Sequence, residues 1–414
     1  MPNADPPSDA LSWVRVDLGR LAGNVAAVLK QTANQNHAED PTAPVICGVV
    51  KKNAYGLGAA TVARTLQRHG CGMLAVYSPR EAEELVNAGL AIGNQCPVLV
   101  LMPVYTLDRR DGLYRAAAAD GLHLTLHSAK QAEMLDDTGR RLGLRLPVHV
   151  HVDTGMSREG MSVDDASALW PRLQTMKGLR VAGLMSHLAT ADVDTGDFAD
   201  FTEQQEATFD ALVDRLTAGD PDTMRGVLLH TGNSYRLWRN RNADQPHRVR
   251  HVVRPGLGLY GYTGDEDVGV KPIVRWTSRI IRVRAQPAGR TVGYGATATL
   301  ERDSVLALIP AGYGDGYPLA LSNRGKVLLR LNDDRQATCR VVGRVNMDQL
   351  VIDVTTTVQQ LDLTPEALLG REIDLYGDDA DAPNAVNRLA EQIDSHAYEL
   401  LCRLNPRLPR VYSG

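Results

Sequence analysis

The side chains best suited to chemistry stand where apolar runs stop. The run Val45-Ile46-Cys47-Gly48-Val49-Val50 ends in Lys51, followed by Lys52-Asn53-Ala54-Tyr55-Gly56. Such a run reads as a short buried strand that opens into a glycine-containing turn. A lysine held and partly desolvated at a strand end can attack a carbonyl and keep it as a Schiff base. The alternative is a strand-end lysine reaching water, the commoner place for this residue. Side chains alternate along a strand, so Lys51 and Lys52 are expected to point opposite ways, with only one facing a site. Asp153, His187, Asn233-Ser234 and Arg254 also close apolar runs. They offer a carboxylate, an imidazole, a hydroxyl and a guanidinium, the groups of proton transfer and anion binding. Taken singly, each is equally well explained by capping, packing or a structural ion pair.

Eight elements must position these residues. Short apolar runs recur at 45–51, 73–78, 97–102, 123–128, 147–153, 181–187, 226–232 and 251–256, separated mostly by segments of helical composition. Helices are expected over 18–30, over 79–88 with Pro79 in the first turn, and over 128–142 and 201–216. Eight strands alternating with helices over about 210 residues are the plan of a (β/α)8 TIM-type barrel, whose chemistry gathers at the carboxyl rim. Ser234 follows the seventh run and Pro255-Gly256-Leu257 the eighth. Barrels commonly bind phosphate between those two loops, where glycine lets backbone N–H groups approach the ligand. Order alone therefore suggests a phosphate-bearing cofactor beside Lys51.

At 414 residues the chain exceeds one ordinary core. Residues 1–12 read as an N-terminal extension, 13–265 as the barrel and 266–414 as a β-rich C-terminal domain, with a linker from Tyr262 to Asp267. Strands are expected over 280–284, 304–309, 326–331, 336–345 and 349–354, a hairpin turn at Asn332-Asp333-Asp334, and one late helix over 384–401. A formal charge of −4 and a pI near 6.3 leave no basic footprint for nucleic acid or anionic membrane. The polar start and the lack of any run long enough to cross a bilayer read as a cytoplasmic protein. Five cysteines, at 47, 71, 96, 339 and 402, are odd in number and lack metal-ligand spacing. Reduced thiols are expected, with no disulfide framework and no metal site.

In order along the chain, Val50-Lys51-x-Asn53-Ala54-Tyr55-Gly56, Asp153-Thr154-Gly155-Met156-Ser157-Arg158, His187-x-Ala189, Asn233-Ser234, Arg254-Pro255-Gly256, Gly293-Tyr294-Gly295, Gly312-Tyr313-Gly314-Asp315-Gly316, Gly343-Arg344-Val345-Asn346-Met347-Asp348 and Tyr398-Glu399 resemble the alanine racemases. The resemblance spans nearly the whole chain. It implies a pyridoxal-phosphate enzyme built of a barrel and a β-domain, paired head to tail as a homodimer with shared active sites. Carried over by position, Lys51 would hold the cofactor and serve as one base, and Tyr294 of the partner subunit as the other. Racemisation needs two, because the α-proton leaves one face and must return to the opposite one. Arg254 would face the ring nitrogen, and His187, also carried over as cofactor-binding, would join Arg254 in helping the tyrosine act as a base. Tyr55, Ser234, Tyr398 and the backbone of Gly256 and Leu257 would cradle the phosphate, and Arg158 with Met347 would take the substrate carboxylate.

The departures from the family pattern lie on the substrate side. Many members carry at position 151 a lysine that CO2 carboxylates, and here His151 stands there. A neutral imidazole could accept from Arg158 where a protonated one would repel it. Substrate affinity is therefore expected to weaken as pH falls through about 6.5, unless an anion such as chloride fills the place. Leu57, Leu319 and Asn346 replace other residues common in the family, and Leu57 and Leu319 are expected to add apolar surface near the substrate. The leading expectation is interconversion of L- and D-alanine for peptidoglycan. The alternatives are a racemase of broader range, serine included, a decarboxylase on the same architecture, or a non-catalytic carrier of the cofactor. A decarboxylase would need a carboxylate against the ring nitrogen, and the carrier lacks a β-domain.

Overall fold

The computed structural model describes residues 5–32, 44–91, 93–191, 195–234, 251–262, 268–332 and 335–414. The linker expected from Tyr262 to Asp267, with the boundary at 265, falls almost wholly outside them. So do Asp333 and Asp334 of the expected hairpin turn, although Lys326–Arg330 and Gln336–Val341 pair antiparallel on either side.

All eight apolar runs form parallel strands of one sheet: Val45–Val49, Met73–Val76, Val98–Val100, Leu122–Leu126, Leu146–His151, Leu179–Met185, Leu228–His230 and Val252–Val253. They are adjacent in chain order, and the eighth returns to pair with the first. The bridges Leu229 to His251 and Asn233 to Arg254 draw the seventh and eighth together and close the barrel. Most of these strands are buried at every residue. Burial on both faces is why they read as unbroken apolar runs rather than as alternating ones. The intervening helices include Pro79–Asn87, Ala129–Leu142 and Asp197–Thr217. Ser78 caps the first of these reciprocally with Glu81, and Pro79 sits at its start. Ser128 caps the second through the N–H of Gln131.

The second sheet has nine strands in the order Arg282–Gln286, Ser304–Ile309, Leu350–Asp353, Gln336–Val341, Lys326–Arg330, Glu372–Tyr376, Val274–Arg279, Ser12–Asp17 and Arg410–Ser413. Its core includes Trp276, Tyr317 and Tyr376, with ring centroids 5.1 to 6.2 Å apart. The strand Ser12–Asp17, assigned from sequence to the barrel segment, belongs to this sheet. It runs antiparallel to Val274–Arg279 and parallel to Arg410–Ser413. The helix Leu18–Thr32 then carries the chain across to the barrel. Asn24 stitches the two parts, donating to the carbonyls of Leu259 and Lys271 and accepting from the Lys271 N–H. The late helix is two helices, Val386–Glu391 and Ala397–Cys402. Asp394 between them takes a left-handed φ of 52°, a conformation that ends a helix rather than continuing it. No helix among the described residues is long and apolar enough to cross a membrane. All five cysteines are free, and four of them are buried.

Candidate active site

Lys51 stands at the carboxyl rim directly after the first barrel strand, and the backbone beyond it takes an unusual course. Lys52, Asn53, Ala54 and Tyr55 all lie in the left-handed region, with φ of 52 to 56°. Each such residue costs roughly 1–2 kcal/mol for an L-amino acid, so the turn persists only because its surroundings enforce it. Glu81 accepts the Lys52 N–H at 2.7 Å, and Asn53 Oδ1 accepts the Ala59 N–H at 2.8 Å. From the second sheet, Arg410 Nε donates to the Gly56 carbonyl and Tyr412 Oη to that of Leu57, both at 3.0 Å. Lys51 and Lys52 do separate, one partly buried and the other exposed beneath the Tyr77 ring. The cause is this turn and not strand pleating, since the strand ends at Val49. Burial first, then the charge of Arg158, lowers the Lys51 pKa, and Glu159 and Glu81 partly offset this.

A cleft of ≈ 750 Å³ opens over Lys51. At one end hydroxyls converge. Tyr55 is buried against Tyr260 and Tyr398, with centroids 5.0 and 5.4 Å away. Burial raises its pKa well above the ordinary phenol value, so its O–H remains a donor. Ser234 Oγ accepts the N–H groups of Gly256 at 3.0 Å and Gly258 at 3.4 Å, which leaves its own proton to give. A Cβ at Gly256 would lie 2.5 Å from Tyr55 Oη, so any larger residue there would push that hydroxyl from its place. The expected residues Tyr55, Ser234, Gly256 and Tyr398 thus meet, and Leu257, expected to act through its backbone, follows Gly256 with its side chain buried.

Arg254 forms the floor. It is buried, and its Nη2 donates to the Ser186 carbonyl at 2.6 Å and lies 3.4 Å from His187 Nδ1. Its Nη1 is buried with no protein partner, and no carboxylate pairs with it among the described residues. Burial lowers its pKa to about 10, which leaves it charged at neutral pH. Burial and then Arg254 drive His187 down to about 3, so its imidazole is neutral.

On the substrate side, Asp153 Oδ1 accepts the N–H groups of Gly155 and Ser157 and shapes the loop that delivers Arg158. Arg158 reaches into the cleft with its side chain half exposed, 3.9 Å from Glu159. His151 lines the same cleft and is buried, its ring 5.1 Å from that of His127. Burial, then His127, Arg254 and Arg158, hold it at about 3. The expected loss of substrate affinity through about 6.5 is corrected accordingly, because His151 stays neutral throughout that range. Leu57 is also corrected, being wholly buried and adding nothing to the rim.

Tyr294 and Met347 do not join the cleft. They are 72% and 55% exposed on the second domain, and Tyr313 and Leu319 are exposed as well. The loops carrying these four are knitted together. Tyr313 N–H donates to Asn346 O, Gly314 N–H to Met347 O, Asn323 Nδ2 to Thr297, and Gly343 N–H to Asn323 Oδ1. Sequence reasoning passed over Tyr77, Leu101, Met185, Glu159 and Cys402 as lining residues. Leu101 and Met185 stand at or just past barrel strand ends but carry no reactive group to draw notice, whereas Tyr77, whose hydroxyl lies 3.3 Å from Glu159, stands where the rule that found Lys51 could have found it.

The sequence matches the family model for the alanine racemase N-terminal domain over residues 16–264 and that for the C-terminal domain over 273–412. An alanine racemase from Halothermothrix orenii is 32% identical over 407 residues, 97% of each chain. Among solved structures, the alanine racemase of D-cycloserine-producing Streptomyces lavendulae aligns with a TM-score of 0.79 at 27% identity, over 99% of this chain and 98% of that one. The alanine racemase of Bartonella henselae, solved with covalently bound pyridoxal phosphate, aligns with a TM-score of 0.77 at 24% identity, over 98% and 100%.

Proposed function

The chain belongs to the alanine racemase family, and on that premise we propose that it interconverts L- and D-alanine with pyridoxal phosphate, using Lys51 and Tyr294 of the partner subunit as its two bases. The observation that carries this reading is one cleft holding a lysine of lowered pKa, a converging set of hydroxyls and amides, and a buried arginine without a carboxylate. These groups fit the cofactor. Tyr55, Ser234, Tyr398 and Gly256 would hold its phosphate, Arg254 its ring nitrogen and Lys51 its carbonyl carbon. When bound there, pyridoxal phosphate supplies a conjugated ring that accepts the electron pair left by the departing α-proton.

Lys51 Nζ, with its lowered pKa, takes or returns a proton on one face of the substrate carbon. Arg254 does not give up its proton, so towards a bound ring nitrogen it would donate a hydrogen bond without protonating it, which would temper electron withdrawal and favour reprotonation over side reactions. A decarboxylase would call for a carboxylate where Arg254 stands. Arg158 holds the substrate carboxylate, assisted by the backbone N–H of Met347.

The second base comes from a second copy of the chain. Tyr294 and Met347 are absent from the cleft but exposed beside Tyr313 and Leu319 on loops held to one another. This presents an apolar surface suited to a two-fold, head-to-tail homodimer that delivers them to the neighbouring cleft. We assign the enzyme to the cytoplasm, with its D-alanine going to peptidoglycan. Of the expected segments, the barrel up to residue 265 would carry most of the cofactor-binding residues, and 266–414, joined by strand Ser12–Asp17, would form the interface-bearing domain and lend Tyr398 to the cleft.

The test is subunit mixing. Lys51→Ala and Tyr294→Phe homodimers should each fail to make D-alanine from L-alanine by chiral chromatography. After subunit exchange at equal amounts, about a quarter of the sites regain both bases and activity returns in that proportion. No D-alanine from the unaltered enzyme would sink the substrate assignment, and no recovery after verified exchange would sink the shared site.

A further inference from the structure

Three imidazoles run in series through the barrel interior, away from the cleft. His149 Nε2 lies 2.8 Å from His123 Nδ1, and His149 Nδ1 lies 3.0 Å from His230 Nε2. The ring centroids are 5.0 and 4.8 Å apart. The three come from the fourth, fifth and seventh barrel strands, so the column must cross the sixth. It does so at Gly183, which is in register with His149 and where a Cβ would collide with His149 Nδ1. Gly183 is not among the glycines of positive φ, so what the position demands is space.

The two ends of the column differ in charge. His230 Nδ1 is buried without a protein partner, as is Arg254 Nη1, and Arg254 is the charge that acts most strongly on His230. At the opposite mouth of the barrel, His123 feels the Asp120 and Arg180 pair, joined at 2.6 Å near the amino ends of the strands. Burial keeps all three rings neutral, His123 down to about 4 and the others well below the ordinary range. A neutral imidazole has one donor and one acceptor, so the two hydrogen bonds must run the same way. One direction puts a lone pair of His230 towards Arg254 and an N–H of His123 towards the mouth that holds Asp120. The reverse would bury an N–H beside a guanidinium, unfavourable in a low-dielectric interior.

We propose that His123, His149 and His230 form a polarised relay, all three in the Nε2–H tautomer, which turns a lone pair rather than an N–H towards Arg254 and so stabilises that cation electrostatically where no carboxylate among the described residues pairs with it. The three histidines are positioning residues. The catalytic consequence alone rests on the reading of Arg254 as the cation facing the cofactor.

The experiment is long-range 1H–15N correlation on the full-length protein labelled with 15N-histidine, with assignments from single His→Gln variants. The expected spectrum shows Nδ1 unprotonated and Nε2 protonated for all three rings, unchanged between about pH 6 and 8. An Nδ1–H tautomer at His149 or His230, or a protonated ring, overturns the relay. Gly183→Ala should then move the His149 and His230 nitrogens and lower kcat about tenfold, about 1.4 kcal/mol of lost electrostatic support for Arg254, with little change in KM. Gly219→Ala, where a Cβ meets nothing within 4 Å, should move neither. Unmoved nitrogens and kcat in Gly183→Ala count against the proposal. If that variant fails to fold, the tautomers of the unaltered protein still decide. A protein that shows these tautomers yet makes no D-alanine refutes the assigned activity and leaves the relay standing.

Discussion

Gly58→Ala puts a methyl group where the Tyr412 hydroxyl lies. Gly58 has φ of +97°, and a Cβ there would overlap Tyr412 Oη and sit 3.2 Å from Cζ. Tyr412 must swing away, which breaks its bond to the Leu57 carbonyl. The left-handed φ costs an alanine about 1–2 kcal/mol, and the lost hydrogen bond costs about 1 kcal/mol. Local opening of the turn after Lys51 should therefore be easier by about 2–3 kcal/mol. The amides to follow are Leu57, bonded to Ala54 O, and Gly58, bonded to Asn53 O. In native-state hydrogen exchange they should exchange roughly 30- to 150-fold faster. Tyr412→Phe alone should accelerate them about fivefold. The double variant should resemble Gly58→Ala within about 0.5 kcal/mol, because the same hydrogen bond cannot be lost twice. Additive effects of the two changes would refute the claim that the Tyr412 hydroxyl clamps the lysine turn across the domain boundary.

Three further outcomes are expected. Lys51→Ala should lose the absorbance of covalently held cofactor and its borohydride-trapped product, whereas Lys52→Ala, exposed at the rim, keeps both. Acid should destabilise the fold through its buried histidines. His151 is held at about 3 and His123 at about 4, with His149 and His230 lower than their ordinary range. Their folded pKa values lie below the unfolded value, so their contribution is intact above about pH 6.5 and shrinks as pH falls, when only the unfolded chain takes up protons. Each costs up to about 1.4 kcal/mol per pH unit below that point. A urea midpoint that stays flat from pH 7.5 to 5.5 would contradict it. Over the same range His151 should contribute nothing to the pH dependence of KM, as a His151→Asn variant with a parallel profile would show.

The barrel was legible because each of its strands is a local signal, an apolar run stopped by turn residues, and because chemistry at strand ends needs no knowledge of neighbours. Lys51, Ser234 and Arg254 were found that way. Long-range pairing was not legible. Nothing in Ser12–Asp17 says that its partners lie near residues 274 and 410. The left-handed turn was hidden for the same reason, since Lys52 to Tyr55 contain no glycine and are held there by Glu81, Arg410 and Tyr412. The neutral state of His151 depends on burial, which one residue type does not reveal. Asp394 broke the late helix by its backbone conformation, with the Ser395 hydroxyl then bonded to Glu399.

The place of Arg410–Ser413 at the edge of the nine-stranded sheet sets an order of events during synthesis. Strand Ser12–Asp17 emerges early but has its two neighbours more than two hundred and fifty residues later. Translation at about 5–20 residues per second leaves it waiting for tens of seconds, with much of its apolar side open to wrong partners. Meanwhile the eight barrel strands, each next to its successor in the chain, can assemble as they appear. A nascent chain short of residue 410 could therefore own a finished barrel whose lysine turn is unclamped, since Arg410 and Tyr412 have yet to arrive. The turn that presents Lys51 gains its clamp only once residues 410 and 412 have been made.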